Sequence, residues 1–174
     1  MGARRFRIIA VVALAAILVG VWWWRQQRPA PQATASVYFV RAEGVASTLQ
    51  AVPRRVEGRT TEARLAGAMR ELLAGPTPQE QQAGLLTVIP RGTRLRGVRI
   101  ENGTVVVDLS GDVESGGGSS SMLGRLWQIV YTATQFPQLP RVRILIDGQV
   151  REAMGGEGVL IDRPLARPPS VPVF

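Results

Sequence analysis

The stretch RLRGVRIENGTVVVDLS, residues Arg94–Ser110, carries the strongest folding signal in the chain. Asn102 and Gly103 separate two runs rich in β-branched residues, which is the pattern of a hairpin closed by a type I′ turn. Apolar and polar residues alternate along both runs, so one face of the hairpin is expected to be buried and the other to be largely polar. The apolar residues that share the buried face are Val98, Ile100, Val105, Val107 and Leu109.

Two amphipathic helices are predicted on either side of this hairpin. The first begins at Thr60 or Thr61 and runs to about Ala74, where Gly75 suits a left-handed C′ position and Pro76 prevents continuation. Its apolar stripe comprises Leu65, Ala66, Met69, Leu72 and Leu73. The second spans residues 119–136 and stops at Pro137. Its stripe is Met122, Leu126, Ile129, Val130, Ala133 and Phe136, and its opposite, polar side is Arg125, Gln128, Thr132 and Gln135.

Further strands complete the predicted fold. They are Ser36–Arg41, Thr48–Val56 with Pro53 confining it to an edge or a break, Arg141–Asp147 closed by an Asp147-Gly148 turn, and a last strand at Gly158–Asp162. Helices with one apolar stripe need an apolar partner, and the hairpin offers one apolar face. The sequence therefore predicts a two-layer α+β fold, with two helices packed on one face of a small mixed sheet.

The composition excludes several kinds of chemistry. The 174 residues include no Cys and no His, which rules out disulfides, thiol nucleophiles and a histidine general base. All 21 basic residues are Arg, so lysine Schiff-base chemistry and a Walker lysine are excluded as well. The net charge is +8, but residues 1–35 hold five Arg and no acid, leaving 16 Arg against 13 acids for the rest. This distribution favours a membrane-flanking role over nucleic-acid binding.

The N-terminal region has the pattern of a membrane anchor. IIAVVALAAILVGVWWW, residues Ile8–Trp24, is 17 residues without a charge, ends in three Trp, and follows a tail that contains Arg4, Arg5 and Arg7. We expect residues 1–7 to be a cytoplasmic tail, 8–24 a transmembrane signal-anchor and 25–35 a linker. The domain would then lie outside the cytoplasmic membrane. The alternative is a cleaved signal peptide, because Ala33-Thr34-Ala35 has the A-x-A form.

The sequence contains a few candidate sites, and each also has a structural explanation. The segment Ser115–Ser121, SGGGSSS, precedes a helix and could bind an anion, but it lacks a P-loop pattern and equally fits a flexible loop with serine capping. Asp108, Asp112 and Glu114 lie close in sequence without the spacing of an EF-hand. An acid pair such as Asp108 with Asp147 could in principle perform glycosidase chemistry, but nothing in the sequence brings such a pair together around a cleft.

The remaining candidates also have structural explanations. Thr132 and Thr134 have no base to activate them, the sequon Asn102–Thr104 coincides with the hairpin turn, and the P-x-x-P match at Pro169–Pro172 lies in a Pro-rich tail, residues 163–174. This tail is expected to be unstructured or docked. The sequence thus predicts no catalytic, cofactor-binding or metal site, and no enzyme.

Five blocks of sequence, taken in order, resemble the GerMN domain family, named for sporulation and spore-germination proteins. They are Leu73-Ala-Gly75-Pro76, the G-L-x-x-x-I-P-x-G-T segment from Gly84 to Thr93, Val107–Ser110, Thr132–Pro137 and Asp147-Gly148. The resemblance covers residues 36–162 in a single copy. Many family members carry a lipid-modified Cys or two such domains, and this chain has neither feature.

The resemblance implies an extracytoplasmic, membrane-tethered domain without known enzymatic activity, with a fold similar to ring-building motifs. It also implies that Gly75 to Thr93 is a structural connection, with Pro90 and Gly92 fixing a turn. A protein-interaction module in a sporulation, germination or other cell-envelope complex is the resulting prediction. A module that binds peptidoglycan or glycan is the alternative. The surface arginines expected to matter are Arg96, Arg99, Arg141 and Arg143.

Overall fold

The computed structural model describes residues 17–23, 31–44, 46–155 and 158–174. The chain forms two compact units, Met1–Pro31 and Gln32–Phe174. Residues 17–23 of the first unit are helical, and across the described residues no helix has the length and apolar character needed to cross a bilayer. The predicted signal-anchor, residues 8–24, and the predicted linker lie mostly outside the described residues, and the predicted cytoplasmic tail lies wholly outside them.

The described part of the second unit contains nine strands in three sheets, together with three α-helices and a 3₁₀ turn at Gly111–Glu114. The helices are α1 (Thr61–Ala74), α2 (Pro78–Gln82) and α3 (Ser119–Ala133). The strands are β1 (Gln32–Glu43), β2 (Ala46–Glu57), β3 (Leu85–Leu86), β4 (Leu95–Glu101), β5 (Thr104–Leu109), β6 (Arg141–Ile146), β7 (Ala153–Met154), β8 (Val159–Leu160) and β9 (Leu165–Ala166). The strand orders are β2-β1-β3, β4-β5-β6-β9 and β7-β8.

The predicted hairpin forms the centre of the four-stranded sheet. Asn102 and Gly103 have φ angles of 49° and 73°, the two positive values that a type I′ turn requires. β5 pairs antiparallel with β4 and parallel with β6, so the sheet is mixed, as predicted. A parallel pair needs a long crossover, and the connection from β5 to β6 contains α3.

The hydrophobic core lies between this sheet and the helices. Val105, Val107 and Leu109 are fully buried on the face that the alternation predicted. α1 is capped by the Thr60 hydroxyl, which accepts a hydrogen bond from Ala63 N, and it buries Leu72 completely. The other fully buried large side chains of the same core cluster are Phe39, Leu65, Met69, Ile129, Ile144, Ile146, Met154 and Ile161.

The prediction of a single sheet is wrong, because β1 and β2 form a separate antiparallel ribbon. They pair over twelve residues each, from Gln32 opposite Glu57 to Glu43 opposite Ala46. β2 is an outer strand, which is where Pro53 was expected. β1 begins four residues before the predicted strand, inside the predicted linker. The reason is that β2 supplies backbone hydrogen bonds to any side-chain type, so the Gln- and Ala-rich residues before Ser36 continue the strand.

The end of the chain also differs from the prediction. Within Gly158–Asp162 only Val159 and Leu160 form a strand, which pairs with β7 and is not the last. The four-stranded sheet is completed by β9, inside the Pro-rich tail, where Leu165 pairs with Val142 of β6. The tail is therefore docked. Pro164 on one side and Pro168 and Pro169 on the other confine its sheet pairing to a two-residue strand.

The side of α3 predicted to be polar and outward-facing is buried. Thr132 and Gln128 are 0% exposed, and Arg125 is 3% exposed. The edge of β1 that faces away from β2 is covered by β3 only at Val40 and Arg41. Side chains of α3, together with Gln135, form hydrogen bonds to backbone groups at Ser36 and Tyr38 of that edge.

Four hydrogen bonds join α3 and Gln135, two residues beyond its end, to β1. Tyr38 N donates to Thr132 Oγ1 at 3.2 Å, and Gln128 Nε2 donates to Tyr38 O at 3.1 Å. Ser36 N donates to Gln135 Oε1 at 2.8 Å, and Gln135 Nε2 donates to Ser36 O at 3.2 Å. A strand edge next to a helix would leave its backbone groups unpaired, so these amides and this hydroxyl replace a missing strand.

Replacing Leu72 with Ala should lower the free energy of unfolding of Gln32–Phe174 by about 2–5 kcal/mol, because Leu72 is 0% exposed and its loss leaves a cavity. Urea denaturation followed by circular dichroism measures this loss. Leu160→Ala is the matched control, since Leu160 is 51% exposed, and it should change stability by less than about 0.5 kcal/mol. Equal losses in the two variants would contradict the assigned core.

Replacing Gln128 with Leu should destabilise the same unit by about 1–3 kcal/mol, because it leaves Tyr38 O and Val88 N buried without their partner. Leucine has a similar size and is apolar, so the loss of stability cannot come from lost apolar packing. Hydrogen exchange measured by NMR should show faster exchange at Val88 N in this variant. Unchanged stability and exchange would show that the amide does not hold the β1 edge.

A candidate interaction groove beside β3

The segment between α1 and β4 builds a groove, and its first bend depends on Gly75. This residue has φ 83° and ψ −179°, a combination that essentially only glycine adopts. The positive φ agrees with the prediction, but ψ is extended where the left-handed helical value was expected. Gly75 N donates to Leu72 O to close the helix, and the extended ψ directs the chain away from it.

A short helix follows that the sequence prediction missed. In α2 the Thr77 hydroxyl accepts a hydrogen bond from Glu80 N at 3.3 Å, and the Glu80 carboxylate accepts one from Thr77 N at 2.8 Å. This reciprocal arrangement is a capping box, and Pro78 stands at the start of the helix. The sequence Thr-Pro-Gln-Glu, residues 77–80, has the pattern of a capping box and could have predicted this helix. The segment is polar and has no apolar stripe, so the hydrophobic pattern alone predicts a loop.

Glu80 also anchors α2 to β2 through Arg54. The Arg54 guanidinium donates to both carboxylate oxygens at 2.7 and 2.6 Å, a bidentate pair. This bond from Arg54 is the main reason that the pKa of Glu80 falls from about 4.5 to about 2. The same pair raises the pKa of Arg54. Arg54 further lies 3.4 Å from Glu71 of α1 and 5.5 Å from the centroid of the Phe39 ring.

The groove lies between α2, the Gly75-Pro76 bend and β3. Two adjoining cavities of about 560 and 360 Å³ share Pro76, Gln81, Thr87, Ile89 and Arg91. The remaining lining residues are Ala42, Leu73, Ala74, Gly75, Gly84, Leu85 and Leu86. The lining is mostly apolar, and its described residues include one charged side chain, Arg91. Within the described part of the chain, Arg91 makes no hydrogen bond or ion pair.

The outer edge of β3 borders this groove. β3 is the last strand of its sheet, and no further strand pairs with it among the described residues. Leu86 is 38% exposed. Arg41 lies on the neighbouring strand, with its Nη1 4.0 Å from the position that a Cβ would take on Gly84. An exposed strand edge, an apolar cavity and two guanidinium groups therefore lie side by side.

The predicted turn at Pro90 and Gly92 is confirmed, because Thr93 N donates to Pro90 O at 3.0 Å. It leads the chain from the groove into β4. The segment from Gly75 to Thr93 is thus a connection, as predicted, and it also forms the walls of the groove.

Asp108 and Asp147 are brought together, but around an arginine. Arg96 lies 3.4 Å from Asp108 Oδ2 and 3.6 Å from Asp147 Oδ1. Backbone donors occupy the other oxygens: Gly148 N bonds Asp108 Oδ1 at 2.9 Å, and Gly111 N bonds Asp147 Oδ2 at 3.1 Å. The two carboxylates fasten the Asp147-Gly148 turn to β5, which leaves no position for a sugar between them.

The glycine-rich segment Ser115–Ser121 wraps around Arg125. Arg125 donates to Gly116 O at 2.5 Å and to Val113 O at 2.8 Å, and Gly117 has φ 82° close to the guanidinium. Burial lowers the pKa of Arg125. Carbonyl oxygens of this loop therefore face a cation. Serine capping of α3 is wrong, because its N-cap is Gly118 and no side chain bonds there.

The other acids and threonines have structural partners. Asp112 accepts a hydrogen bond from the Ser110 hydroxyl, and Glu114 accepts one from Gly155 N. Thr132 bonds Tyr38, and the Thr134 hydroxyl donates to Val130 O at 2.6 Å. Among the residues that the structure describes, no group of three acidic, His or Cys side chains could hold a metal ion.

The four arginines singled out in the sequence belong to the four-stranded sheet, on its face away from the core. Arg99 pairs with Glu101, and Arg96 with the two aspartates described above. Arg143 donates to Asp162 O at 3.4 Å, and Arg141 is exposed. Two of the four charges are therefore paired with carboxylates within the chain, so this face is a weaker candidate than the groove.

Comparison with known proteins identifies the family. The model of the Germane family, described as "Sporulation and spore germination", matches residues 36–152. The chain belongs to this family. The membership predicted from the five sequence blocks is confirmed, and in the structure these blocks form the end of α1, the groove, the end of β5, the end of α3 and the turn after β6. No curated protein matches the chain.

Solved structures share the fold of this Germane-family chain. The tandem GerMN domains of the sporulation protein GerM from Bacillus subtilis align at 22% identity and a TM-score of 0.66, over 80% of this chain and 47% of that one. The chain thus spans about half the length of that structure. The first GerMN domain alone aligns at 22% identity and 0.59, over 78% and 98%. A putative lipoprotein from Clostridium perfringens aligns at 23% and 0.56, over 78% and 88%.

The ion pair between Glu80 and Arg54 should make the stability of Gln32–Phe174 depend on pH. The folded pKa of Glu80 is depressed, so its contribution is complete above about pH 4.5 and is lost as the pH falls toward 2. The difference in free energy of unfolding between wild type and Glu80→Gln should therefore shrink between pH 6 and pH 3. Glu152→Gln, at an exposed position, is the control. A difference that stays constant with pH would contradict the assignment.

Proposed function

We propose that this chain is a membrane-anchored, extracytoplasmic protein-interaction module of a sporulation, germination or cell-envelope assembly. The observation that carries the proposal is the groove in which the strand edge of β3 borders an apolar cavity. An extended segment of a partner can pair with a free strand edge while its side chains enter a neighbouring cavity. Main-chain pairing supplies affinity, and the cavity supplies selectivity.

The charges of the groove favour a partner segment with both apolar and acidic side chains. Arg91 lies in the lining without a partner, and Arg41 lies beside Gly84. Glu80, the nearest acid on α2, is already held by Arg54. A carboxylate on the partner would therefore meet two guanidinium groups with no described acid in the lining to repel it.

The lining also supports binding over catalysis. Its polar members are Gln81, Thr87 and Arg91, and the Gln81 amide already donates to Pro76 O at 2.8 Å. Neither a nucleophile with a base beside it nor a carboxylate pair occurs among these lining residues. We therefore expect no turnover of a bound segment.

The glycan-binding alternative is less well supported, because sugar sites use exposed aromatic rings. Phe39 is 0% exposed, Tyr131 is 5% exposed, and Tyr38, Trp127 and Phe136 are half-buried. Within residues 31–44, 46–155 and 158–174, no aromatic side chain is exposed. Phe39 belongs to the core, and Tyr38 and Tyr131 contact the Pro-rich tail.

Membrane attachment is proposed from the sequence of residues 1–35. Three arginines precede the uncharged Ile8–Trp24 segment, and Trp22–Trp24 would lie at the headgroup level. An anchor of this kind confines the domains to one plane and raises their effective concentration, so that a weak contact can be sufficient for assembly.

A photo-crosslinking residue at position 91 of the full-length protein, in its native membrane, should form adducts with a partner protein. Leu86→Asp in the same chain should abolish these adducts, because it places a charge at the apolar edge of the groove. Mass spectrometry of the adducts identifies the partner segment, which should be extended and acidic. The same crosslinking residue at position 160, also exposed, is the control.

Three results would overturn the proposal. Adducts that form equally with Leu86→Asp would show that the groove is not the contact. The same conclusion follows if position 160 gives the same adducts. Retention of the purified chain on cell-wall glycan, in the absence of any protein adduct, would favour the alternative function.

The proposed topology predicts that Ser170→Cys reacts with a membrane-impermeant thiol reagent in whole cells. Ser170 is exposed, and the chain has no other Cys to label. Labelling only after lysis would place the domain in the cytoplasm. A mature N-terminus at Ser36 would show that the N-terminal segment is a cleaved signal peptide.

A further inference from the structure

An aromatic pocket, formed by Tyr38 and Tyr131, binds Arg167 of the Pro-rich tail. Arg167 lies with its guanidinium carbon 5.0 Å from the centroid of the Tyr38 ring and 4.8 Å from that of Tyr131. The two rings are themselves in edge contact at 5.2 Å, and Trp127 lies edge-on to Tyr131 at 6.5 Å. A cation that lies over two adjacent ring faces is attracted by both.

Two acceptors complete the pocket. Arg167 Nη2 donates to Tyr131 O at 2.6 Å, and Nε donates to the Thr134 hydroxyl at 3.1 Å. Tyr131 is in the last turn of α3, where free carbonyl groups and the helix dipole favour a cation. The pocket therefore recognises the shape and the charge of a guanidinium group, which a lysine ammonium would not match.

The rest of the tail is bound lightly. β9 contributes only two residues to the sheet, and the Tyr131 hydroxyl reaches Ser170 O at 3.5 Å. Phe174 exchanges backbone hydrogen bonds with Ser47 at 2.9 and 3.2 Å, and its ring lies against Gly124. None of the residues 163–174, all of which the structure describes, is buried.

We propose that this pocket is a binding site for an extended Arg-Pro segment, and that the tail of a second copy of the chain can occupy it in place of the chain's own. Exchange of tails reproduces every contact of the docked tail in both copies, so it costs no interaction energy once the copies are close. The tail lies beyond residues 36–152, the part that the family model matches.

Exchange is a specific route to self-association that does not use the groove beside β3. It deepens the proposed assembly function in one respect, since anchoring in a plane would favour exchange. Peptide binding and cysteine trapping measure the occupancy of the pocket by the tail directly. Failure of the groove experiment would leave their outcome unaffected.

A labelled peptide of residues 163–174, RPLARPPSVPVF, tests the pocket as a binding site. The receptor is the full-length Arg167→Ala chain in detergent, in which the tail no longer fills the pocket. Fluorescence anisotropy should show that this chain binds the peptide about tenfold more tightly than wild type, whose own tail competes at high effective concentration. A peptide with the Arg167→Ala change should not bind.

Tyr38→Leu in the Arg167→Ala chain is the matched receptor variant. It keeps the apolar contact and removes one ring from the guanidinium, so binding should fall. Unchanged circular dichroism shows that the variant is folded. Equal binding of both peptides, or binding that is insensitive to Tyr38→Leu, would show that the pocket does not bind the Arg-Pro segment.

Cysteine trapping tests the second copy as the occupant. Arg141 and Ala166 are directly paired across β6 and β9, and both are exposed. Paired positions in an antiparallel ladder have the Cα separation that a disulfide requires. A chain with Arg141→Cys, co-expressed with a chain carrying Ala166→Cys, should form a mixed disulfide dimer upon mild oxidation in the membrane, because neither chain can form the bond alone.

Arg151→Cys in place of Arg141→Cys is the control, since Arg151 is exposed and outside this pairing. The proposal requires more dimer from the 141–166 combination than from the 151–166 combination. It also requires excess peptide 163–174 to reduce that dimer. Equal amounts of disulfide dimer in the two combinations would show that the disulfides form by non-specific contact between copies. That result would contradict tail exchange even if the peptide binds.

Discussion

The fold depends on the side chains of α3 that complete the open edge of β1. Ser36 and Tyr38 present backbone groups where the β1–β2 ribbon has no third strand, and Gln128, Thr132 and Gln135 bond them at distances of 2.8 to 3.2 Å. Because the spacing of these three residues follows the helical repeat, α3 lies along the strand. This contact ties the ribbon to the helix that connects β5 and β6, and so joins the two larger sheets into one domain.

The same helix positions both surfaces to which we assign binding. Gln128 Oε1 also accepts a hydrogen bond from Val88 N at 3.1 Å, which fixes the chain just after β3 and therefore the back of the groove. At the other end of α3, Tyr131 and Thr134 form the pocket for Arg167. A shift of α3 relative to β1 would therefore affect both the groove and the tail, which the Arg54–Glu80 pair and the β6–β9 pairing also hold in place.

Several arginines of the domain bind partners within the chain. Arg54 binds two carboxylates, Arg125 binds three backbone carbonyls in the interior, and Arg167 lies over two aromatic rings. Each role uses the planar guanidinium with its several donors, which a lysine cannot reproduce. These three arginines bind partners within the domain, whereas Arg91 in the groove has no described partner.

The sequence by itself determined the hairpin, α1 with its cap, the edge position of β2 and membership of the family, because these depend on local conformation and on periodicity. Asn102-Gly103 needs positive φ angles wherever it occurs, and Gly75-Pro76 ends a helix in any surroundings. Only the tertiary structure decided that the polar side of α3 is buried, that the tail adds a strand, and that Gly75 to Thr93 encloses a groove. These features depend on contacts between residues up to 99 positions apart, such as Ser36 and Gln135. The sequence does not distinguish a polar side chain that bonds a buried strand edge from one that faces water.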